Sequence, residues 1–543
     1  MLFKSISFIN SCNKEWCKMD TLKLVLFFLA TASYCESANI LYVVPFTAKS
    51  HYILLTPIGL ELARRGHNVT VIVGHRDDNP PPNYRQVLVD KKEIWDLIGG
   101  DRPNVFKMVD VSAEIFHKQI LWGGGLAFTE LVLNSTEVKA FLAEDNKFDL
   151  VIIEQFFQEA LNVLAHKYNA PLVLVTTYGN CMRHNIVTRN PLQLATVVSE
   201  FLDVREPTSF WGRMRNWYFS YYEYIYWKYW YLEDQERLVR KYLPGLPKPV
   251  PSLIDMQKNA SLILINSHFG FDPPAAYLPN IVEIGGIHLT ESAGKKKIPE
   301  DLQEILDNAK HGVVYMSFGS NVRSSELPDE KRNAVLNVFR KLNQTVLWKW
   351  EDDKLENKPA NLIIRKWLPQ KEILSHPNVR VFISHGGLIG TQEATFHGVP
   401  LIGVPIYADQ YNNLLQAQYL GYGKILEYRD INEETLSKML HEVLTNDAYR
   451  TKAKEISRRF KDRPMSALDT AMFWIEYVIR NNGAEYMKNP ALQMSWAAYS
   501  MIDVYIFVLV VILASVYVIL KALMIVMNLL SKKDAKKQKK KMA

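Results

Sequence analysis

Residues 367–410 read WLPQKEILSHPNVRVFISHGGLIGTQEATFHGVPLIGVPIYADQ. An apolar run ends at Ile383, the turn Ser384, His385, Gly386, Gly387 follows, and a helical pattern begins directly after it. Glycines let a phosphate approach the backbone, and a helix N-terminus offers N–H donors with a partial positive charge. His385 in that turn can donate to a diphosphate oxygen. Trp367 offers a flat face to a base, a contact of about 1–3 kcal/mol by analogy with single-strand binders. Gln370 can bond a base edge. Glu393 falls roughly two helical turns past the glycines, where a carboxylate can accept both ribose hydroxyls. Asp409 and Gln410 come after the next strand and loop and can hold a sugar by its hydroxyls. Together these groups outline a nucleotide sugar laid end to end.

The stretch is part of a larger alternation. Strands are expected at 313–318, 345–350, 379–383 and 401–404, with helices at 329–342, 387–397 and 410–420. The first half repeats the pattern, with strands at 39–44, 69–73, 150–153 and 172–175 and helices at 51–65 and 159–168. Strand–helix–strand units imply parallel sheets covered by helices. The expected fold is α/β, two doubly wound domains facing a cleft, with ligands beyond the carboxyl ends of the strands. The domains are placed at 38–285 and 286–495.

A chain of 543 residues is too long for one core. Its net charge of +7 lies almost wholly in the tail, where seven lysines between Lys532 and Lys541 face one acid, Asp534. The remainder is close to neutral, which argues against nucleic-acid binding. Of four cysteines, Cys12, Cys17 and Cys35 belong to the first 37 residues. Cys181 alone remains in the body and reads as a buried, inert thiol.

The first 37 residues read as a leader and signal peptide. An apolar run from Leu22 to Ala32 precedes small residues, with cleavage expected between residues 32 and 38 and Met19 as a possible start. Residues 504–527 are expected to cross a membrane as a helix, with Trp496 and Tyr499 at the interface. The basic tail, 528–543, belongs in the cytosol by the positive-inside rule, which puts the rest of the chain on the other side. Lys540 and Lys541 resemble the dilysine retrieval signal of endoplasmic reticulum membrane proteins. Sequons stand at Asn68, Asn134, Asn259 and Asn343. Between Phe210 and Tyr231, 13 of 22 residues are aromatic. That segment reads as a half-buried helix pair, an acceptor-pocket wall or a surface lying on the membrane.

The long stretch at 367–410 closely resembles the signature of the UDP-glycosyltransferase family, UDP-glucuronosyltransferase type. The similarity extends over signal, an N-terminal acceptor-binding domain (38–285), a C-terminal donor-binding domain (286–495), span and tail. It implies the GT-B fold and inverting transfer of a hexose, glucose or glucuronate, from a UDP-sugar to a small lipophilic acceptor. It implies no metal, no cofactor beyond the co-substrate, a membrane location in the reticulum with lumenal catalytic domains, and scope for homo- or hetero-oligomers. By motif position, Trp367 would stack on uracil and Gln370 bind the uridine. His385, with Ser384 and Gly387, would hold the diphosphate, Glu393 the ribose, and Asp409 and Gln410 the sugar. Ser320, in SFGSN, matches a serine that reaches the donor phosphate or sugar. Ile389 departs from the family, which often has an asparagine there.

An inverting transfer needs a base for the acceptor proton, and histidine suits that task. His51 matches the family's catalytic histidine. Its carboxylate partner, an aspartate in the family, is Glu154 here, with Asp149 as a rival at the other end of the same strand. A protein that binds donor or lipophile with weak turnover is the alternative class. A nicotinamide oxidoreductase is a further option, but no G-x-G-x-x-G follows the first strand. The position matching an arginine of glucuronosyl members is Ala275, which favours glucose as donor.

Overall fold

The computed structural model describes residues 37–90, 92, 94–97, 104–289 and 297–542. The expected signal peptide lies outside the described residues.

The first sheet has seven parallel strands: β1 (Asn39–Val44), β2 (Asn68–Val73), β3 (Tyr84–Leu88), β4 (Leu150–Glu154), β5 (Leu172–Val175), β6 (Leu262–Ile265) and β7 (Ile281–Glu283), in spatial order β3-β2-β1-β4-β5-β6-β7. The second has six: β8 (Val313–Ser317), β9 (Thr345–Lys349), β10 (Leu362–Arg365), β11 (Val379–Ser384), β12 (Leu401–Gly403) and β13 (Gly423–Ile425), in order β10-β9-β8-β11-β12-β13. Both orders reverse once, between β1 and β4 and between β8 and β11. Each reversal opens a crevice at the carboxyl ends of the strands. Central strands such as β4 and β8 are buried along their whole length, which is why they read as unbroken apolar runs.

All eight strands expected from the sequence are present. The five further strands are β3, β7, β10 and β13, which are the four sheet edges, and β6 beside one of them. Edge strands have only one neighbour, so their sequences (YRQVL, IVE, LIIR, GKI) mix polar with apolar residues and lose the buried-strand signature.

Six helices matter for the site and its surroundings: α1 (Lys49–Arg64), α2 (Phe210–Tyr226), α3 (Leu388–His397), α4 (Gln410–Tyr419), α5 (Ala467–Arg480) and α6 (Ile502–Lys541). Helix α5 follows the second sheet in sequence yet packs on the first domain. Its Leu468, Met472 and Ile475 share one apolar cluster with Leu54, Leu55 and Ile58 of α1. Arg65 bonds Asp469 at 2.8 Å and Glu476 at 3.3 Å. The segment 286–495, read from the sequence as one unit, thus gives one helix to the other core.

Helix α6 is long and apolar enough to cross a membrane, and its side chains are exposed. At 40 residues it measures roughly 60 Å, twice the hydrocarbon thickness, so it carries the lysine tail beyond a span at 504–527. Cys181 is free and buried, and burial pushes its thiol up to about 12.

Candidate active site

His51 lies in the first turn of α1, just past the end of β1, and Glu154 is the last residue of β4. Strands β1 and β4 are hydrogen-bonded neighbours flanking the reversal of the first sheet, so residues 103 apart in sequence meet in the crevice. The Nδ1 atom of His51 pairs with Oε1 of Glu154, which is fully buried. A carboxylate on Nδ1 fixes the hydrogen there and leaves Nε2 as the basic nitrogen. The longer glutamate therefore reaches the imidazole without help. Asp149 is excluded as the partner, because its Oδ2 accepts the N–H of Asn39 at 2.7 Å at the opposite end of the strand.

Aromatic rings surround the imidazole. Phe46 and Phe156 each lie 4.5 Å from the His51 ring, and Phe128 lies 4.6 Å from Phe46. None of these was singled out from the sequence, since lone phenylalanines in loops and helices carry no motif. Deeper in the domain, Arg183 is buried between Glu159 (3.4 Å) and Glu223 (3.2 Å), with its guanidinium over Phe157. Burial pushes the nearby Glu200 carboxyl up to about 8, with the charge of Glu223 adding to the shift.

The crevice of the second sheet is built from two similar turns. At the end of β8, Ser317 Oγ accepts the N–H of Gly319 at 3.3 Å; at the end of β11, Ser384 Oγ accepts the N–H of Gly386 at 3.1 Å. Gly319 (φ +75°) and Gly386 (φ +87°) both use the left-handed backbone. The His385 ring sits between the turns. A Cβ on Gly319 would come within 2.7 Å of it, and one on Gly387 within 2.6 Å.

Ser384 is fully buried, and its hydroxyl shapes the turn by accepting the Gly386 N–H while keeping its own hydrogen to donate. Gly387 serves His385 directly, by leaving room for its ring. Burial, followed by the charge of Lys349, pushes the His385 imidazole down to about 4, so it is a neutral donor near pH 7. Ser320 is exposed at the mouth of the first turn. Ile389 is half-buried against the apolar cluster of the first domain, so the side chain that departs from the family pattern packs across the domain boundary.

Gln370 and Glu393 lie together, with Trp367 three residues before Gln370. Gln370 Nε2 donates to Glu393 Oε2 at 2.6 Å, and Tyr315 O–H donates to Gln370 Oε1 at 3.2 Å. Burial pushes the Glu393 carboxyl up to about 7. Trp367 is 49% exposed, and the Lys49 ammonium stands 3.5 Å from its ring centroid. Lys49 is two residues before His51, so this contact bridges the cleft. Lys349, the last residue of β9, lies 6.0 Å from the same ring and bonds Glu351 at 2.6 Å. Both lysines escaped the sequence reading. Lys349 left a signal, a charge closing an otherwise apolar strand at its carboxyl end.

At the far end, Asp409 caps α4 after Ala408, which holds a left-handed backbone (φ +60°). Its Oδ2 accepts from Asn413 at 2.8 Å; burial raises its carboxyl, and His51 across the cleft is close enough to oppose that rise. Gln410 is buried, and its Oε1 accepts the N–H groups of Ile406 (2.8 Å) and Tyr407 (3.1 Å). Only its amide nitrogen can serve a sugar, and its main task is bracing the loop.

Comparison with known proteins agrees with this arrangement. The sequence model of the family described as "UDP-glucoronosyl and UDP-glucosyl transferase" matches residues 118–538. The chain is 34% identical over 511 residues to "UDP-glycosyltransferase UGT5" of Dactylopius coccus, covering 92% of this chain and 94% of that one. It is 27% identical to human "UDP-glucuronosyltransferase 2B15", covering 91% and 94%. A solved UDP-glucosyltransferase from Polygonum tinctorium shares the fold at 18% identity and a TM-score of 0.55, covering 82% of this chain and 99% of that one. The two facing parallel-sheet domains are the GT-B fold, and the protein belongs to the UDP-glycosyltransferase family, enzymes that transfer a sugar from a UDP-sugar to an acceptor.

Proposed function

We propose that the enzyme performs an inverting transfer of a hexose, glucose or glucuronate, to a hydroxyl of a small lipophilic acceptor. The observation that carries this is the His51–Glu154 pair at one crevice facing the Ser384–Gly387 turn at the other. Nε2 of His51 takes the acceptor proton as its oxygen attacks the anomeric carbon, and the UDP leaves from the opposite side. The N-terminus of α3 and the neutral His385 receive the charge that develops on the diphosphate. The rings of Phe46, Phe128 and Phe156 support an apolar acceptor.

A single displacement on an α-linked UDP-sugar yields a β-linked product. Offering UDP-glucose and UDP-glucuronate together with a phenol, and reading the anomeric coupling by NMR, tests the mechanism and identifies the donor. An α-linked product would overturn inversion.

Uracil would stack on Trp367, with Gln370 on its edge and Glu393 on the ribose. Lys49 already covers one ring face. A cation–π contact at an exposed site is about 0.5–1 kcal/mol, below the 1–3 kcal/mol or so of base stacking, so the base prevails if both compete for that face.

Glu393 makes donor binding pH-dependent. Below its value of about 7 the carboxyl is protonated; above it, a carboxylate accepts from ribose hydroxyls, and hydrogen bonds to charged groups are the stronger kind. UDP should therefore bind several-fold tighter as pH rises from about 6 to about 8. His385 does not titrate in that window. Calorimetry of wild type against Glu393→Gln separates this from the ionisation of UDP itself, because the variant should lose the Glu393 contribution.

We place the catalytic domains in the reticulum lumen, anchored by α6. The dilysine tail supports this, as do the exposed sequon asparagines Asn68, Asn134, Asn259 and Asn343. Asn68, the first residue of β2, bonds Asn39 through its amide.

A further inference from the structure

Helix α2 is inside out for a water-soluble surface. Its buried face carries Asn216, Ser220 and Glu223 beside Gly212 and Phe219, while Trp211, Met214, Trp217, Tyr218 and Ile225 face outward. The outward residues recur at three- and four-residue spacing and form one apolar stripe. Trp211 is 75% exposed, and Tyr229 and Trp230, just beyond the helix, are 62% and 55% exposed. Surface helices normally bury such a stripe and turn their polar side to solvent. Here the polar side is committed inward. Asn216 donates to the carbonyls of Leu194 (2.9 Å) and Val197 (2.8 Å) and accepts the N–H of Ser199, and Glu223 holds Arg183. The helix cannot rotate its aromatic stripe into the core without breaking these bonds.

The same loop ties the helix to the start of α6. Tyr499 O–H and Asn489 Nδ2 donate to the carbonyl of Arg189 at 2.9 and 3.0 Å. The Arg189 guanidinium lies 5.0 Å from the Tyr499 ring and bonds the carbonyl of Met494 at 3.1 Å. From Arg189 to Leu194, where α2 is pinned, five residues reach at most about 18 Å. The stripe is thus held close to the point where the chain enters α6. Tryptophan and tyrosine with flanking Arg213 and Lys228 are the composition of a membrane–water interface rather than of an aliphatic dimer core.

We propose that the outward face of α2 lies in the headgroup region of the bilayer crossed by α6, making a second, peripheral contact for the first domain. The contact rests on α6 being the membrane span. It sets the acceptor-binding domain against the lipid that dissolves its apolar substrates.

The test uses the full chain in nanodiscs, with single spin labels at Trp217→Cys and Trp230→Cys. A label at Val516→Cys reports the span and one at Tyr419→Cys reports a solvent face, and retained sugar transfer to a phenol, which needs both domains, shows that each variant is folded. Labels at 217 and 230 should show an oxygen-to-nickel collision ratio several-fold above that at 419 and below that at 516, as a headgroup position requires. Nickel access equal to that at 419 overturns the proposal while a lipid-exposed 516 keeps the span. Shielding from both probes overturns it as well, because it identifies a second copy of the chain as the cover.

Discussion

Replacing His51 with alanine should lower kcat by about 10²–10⁴-fold, the usual contribution of a positioned general base, while UDP binds as before. The two effects separate because His51 belongs to the first domain, whereas Trp367, Gln370, His385 and Glu393 all belong to the second. UDP released with a phenol acceptor measures the first effect, and calorimetry with UDP measures the second. Phe46 and Phe156 pack directly on the imidazole, so alanine leaves a cavity, and a thermal melt should accompany the assay. His51→Gln keeps more of the volume and should be as inactive as the alanine variant. Unchanged turnover in either folded variant would remove His51 from the mechanism. It would then favour a protein that binds UDP-sugars by the second domain alone.

Glu154→Gln should cost nearly as much. The amide preserves shape but can present N–H instead of a carboxylate to Nδ1, which favours the tautomer with its hydrogen on Nε2. That tautomer cannot take a proton. In serine proteases the same change at the buried aspartate costs about 10⁴-fold, so a loss between roughly 10² and 10⁴ is expected here. The loss should fall on kcat, with little change in the KM for donor, because Glu154 touches no donor-binding side chain. Glu154→Asp is the informative control. It restores the charge but is one methylene short, so it should recover part of the activity if Glu154 acts as a positioning residue for His51. Equal losses for the amide and the aspartate, with both proteins folded, would mean that geometry alone is at stake. Full activity of the amide would reassign the role.

Much of the second domain's local structure was legible in advance. Residues 367–410 form one continuous run in which strand, turn, helix and loop follow without long insertions. Neighbours in sequence are therefore neighbours in the crevice, and Gln370 and Glu393 meet as their spacing implies. Two residues in that run also carry a local task that the sequence did not show. Ser384 Oγ accepts the backbone N–H of Gly386, and Gln410 Oε1 accepts those of Ile406 and Tyr407, so both brace their own loops while keeping donors to offer. Composition cannot say whether a side chain turns toward a ligand or back to its own loop.

The first-domain side of the cleft depends on contacts between distant segments. Phe46, Phe128 and Phe156 come together there, His51 and Glu154 lie 103 residues apart, and Lys49 touches a tryptophan of the other domain. The aromatic run at 210–231 was visible at once, but the outward direction of its rings was not.

Returning to residues 367–410, the sequence by itself determined the family, the parallel α/β class, the strand–turn–helix that carries His385, and a terminal helix long enough to span a membrane. These follow from local order, periodicity and a contiguous motif. Only the tertiary structure decided that Glu154 rather than Asp149 holds His51, that Ile389 packs across the domain boundary, and that α2 turns its aromatic stripe outward. Each of these depends on which strands lie side by side and which backbone groups claim a polar side chain, and that is set by the packing of the whole chain.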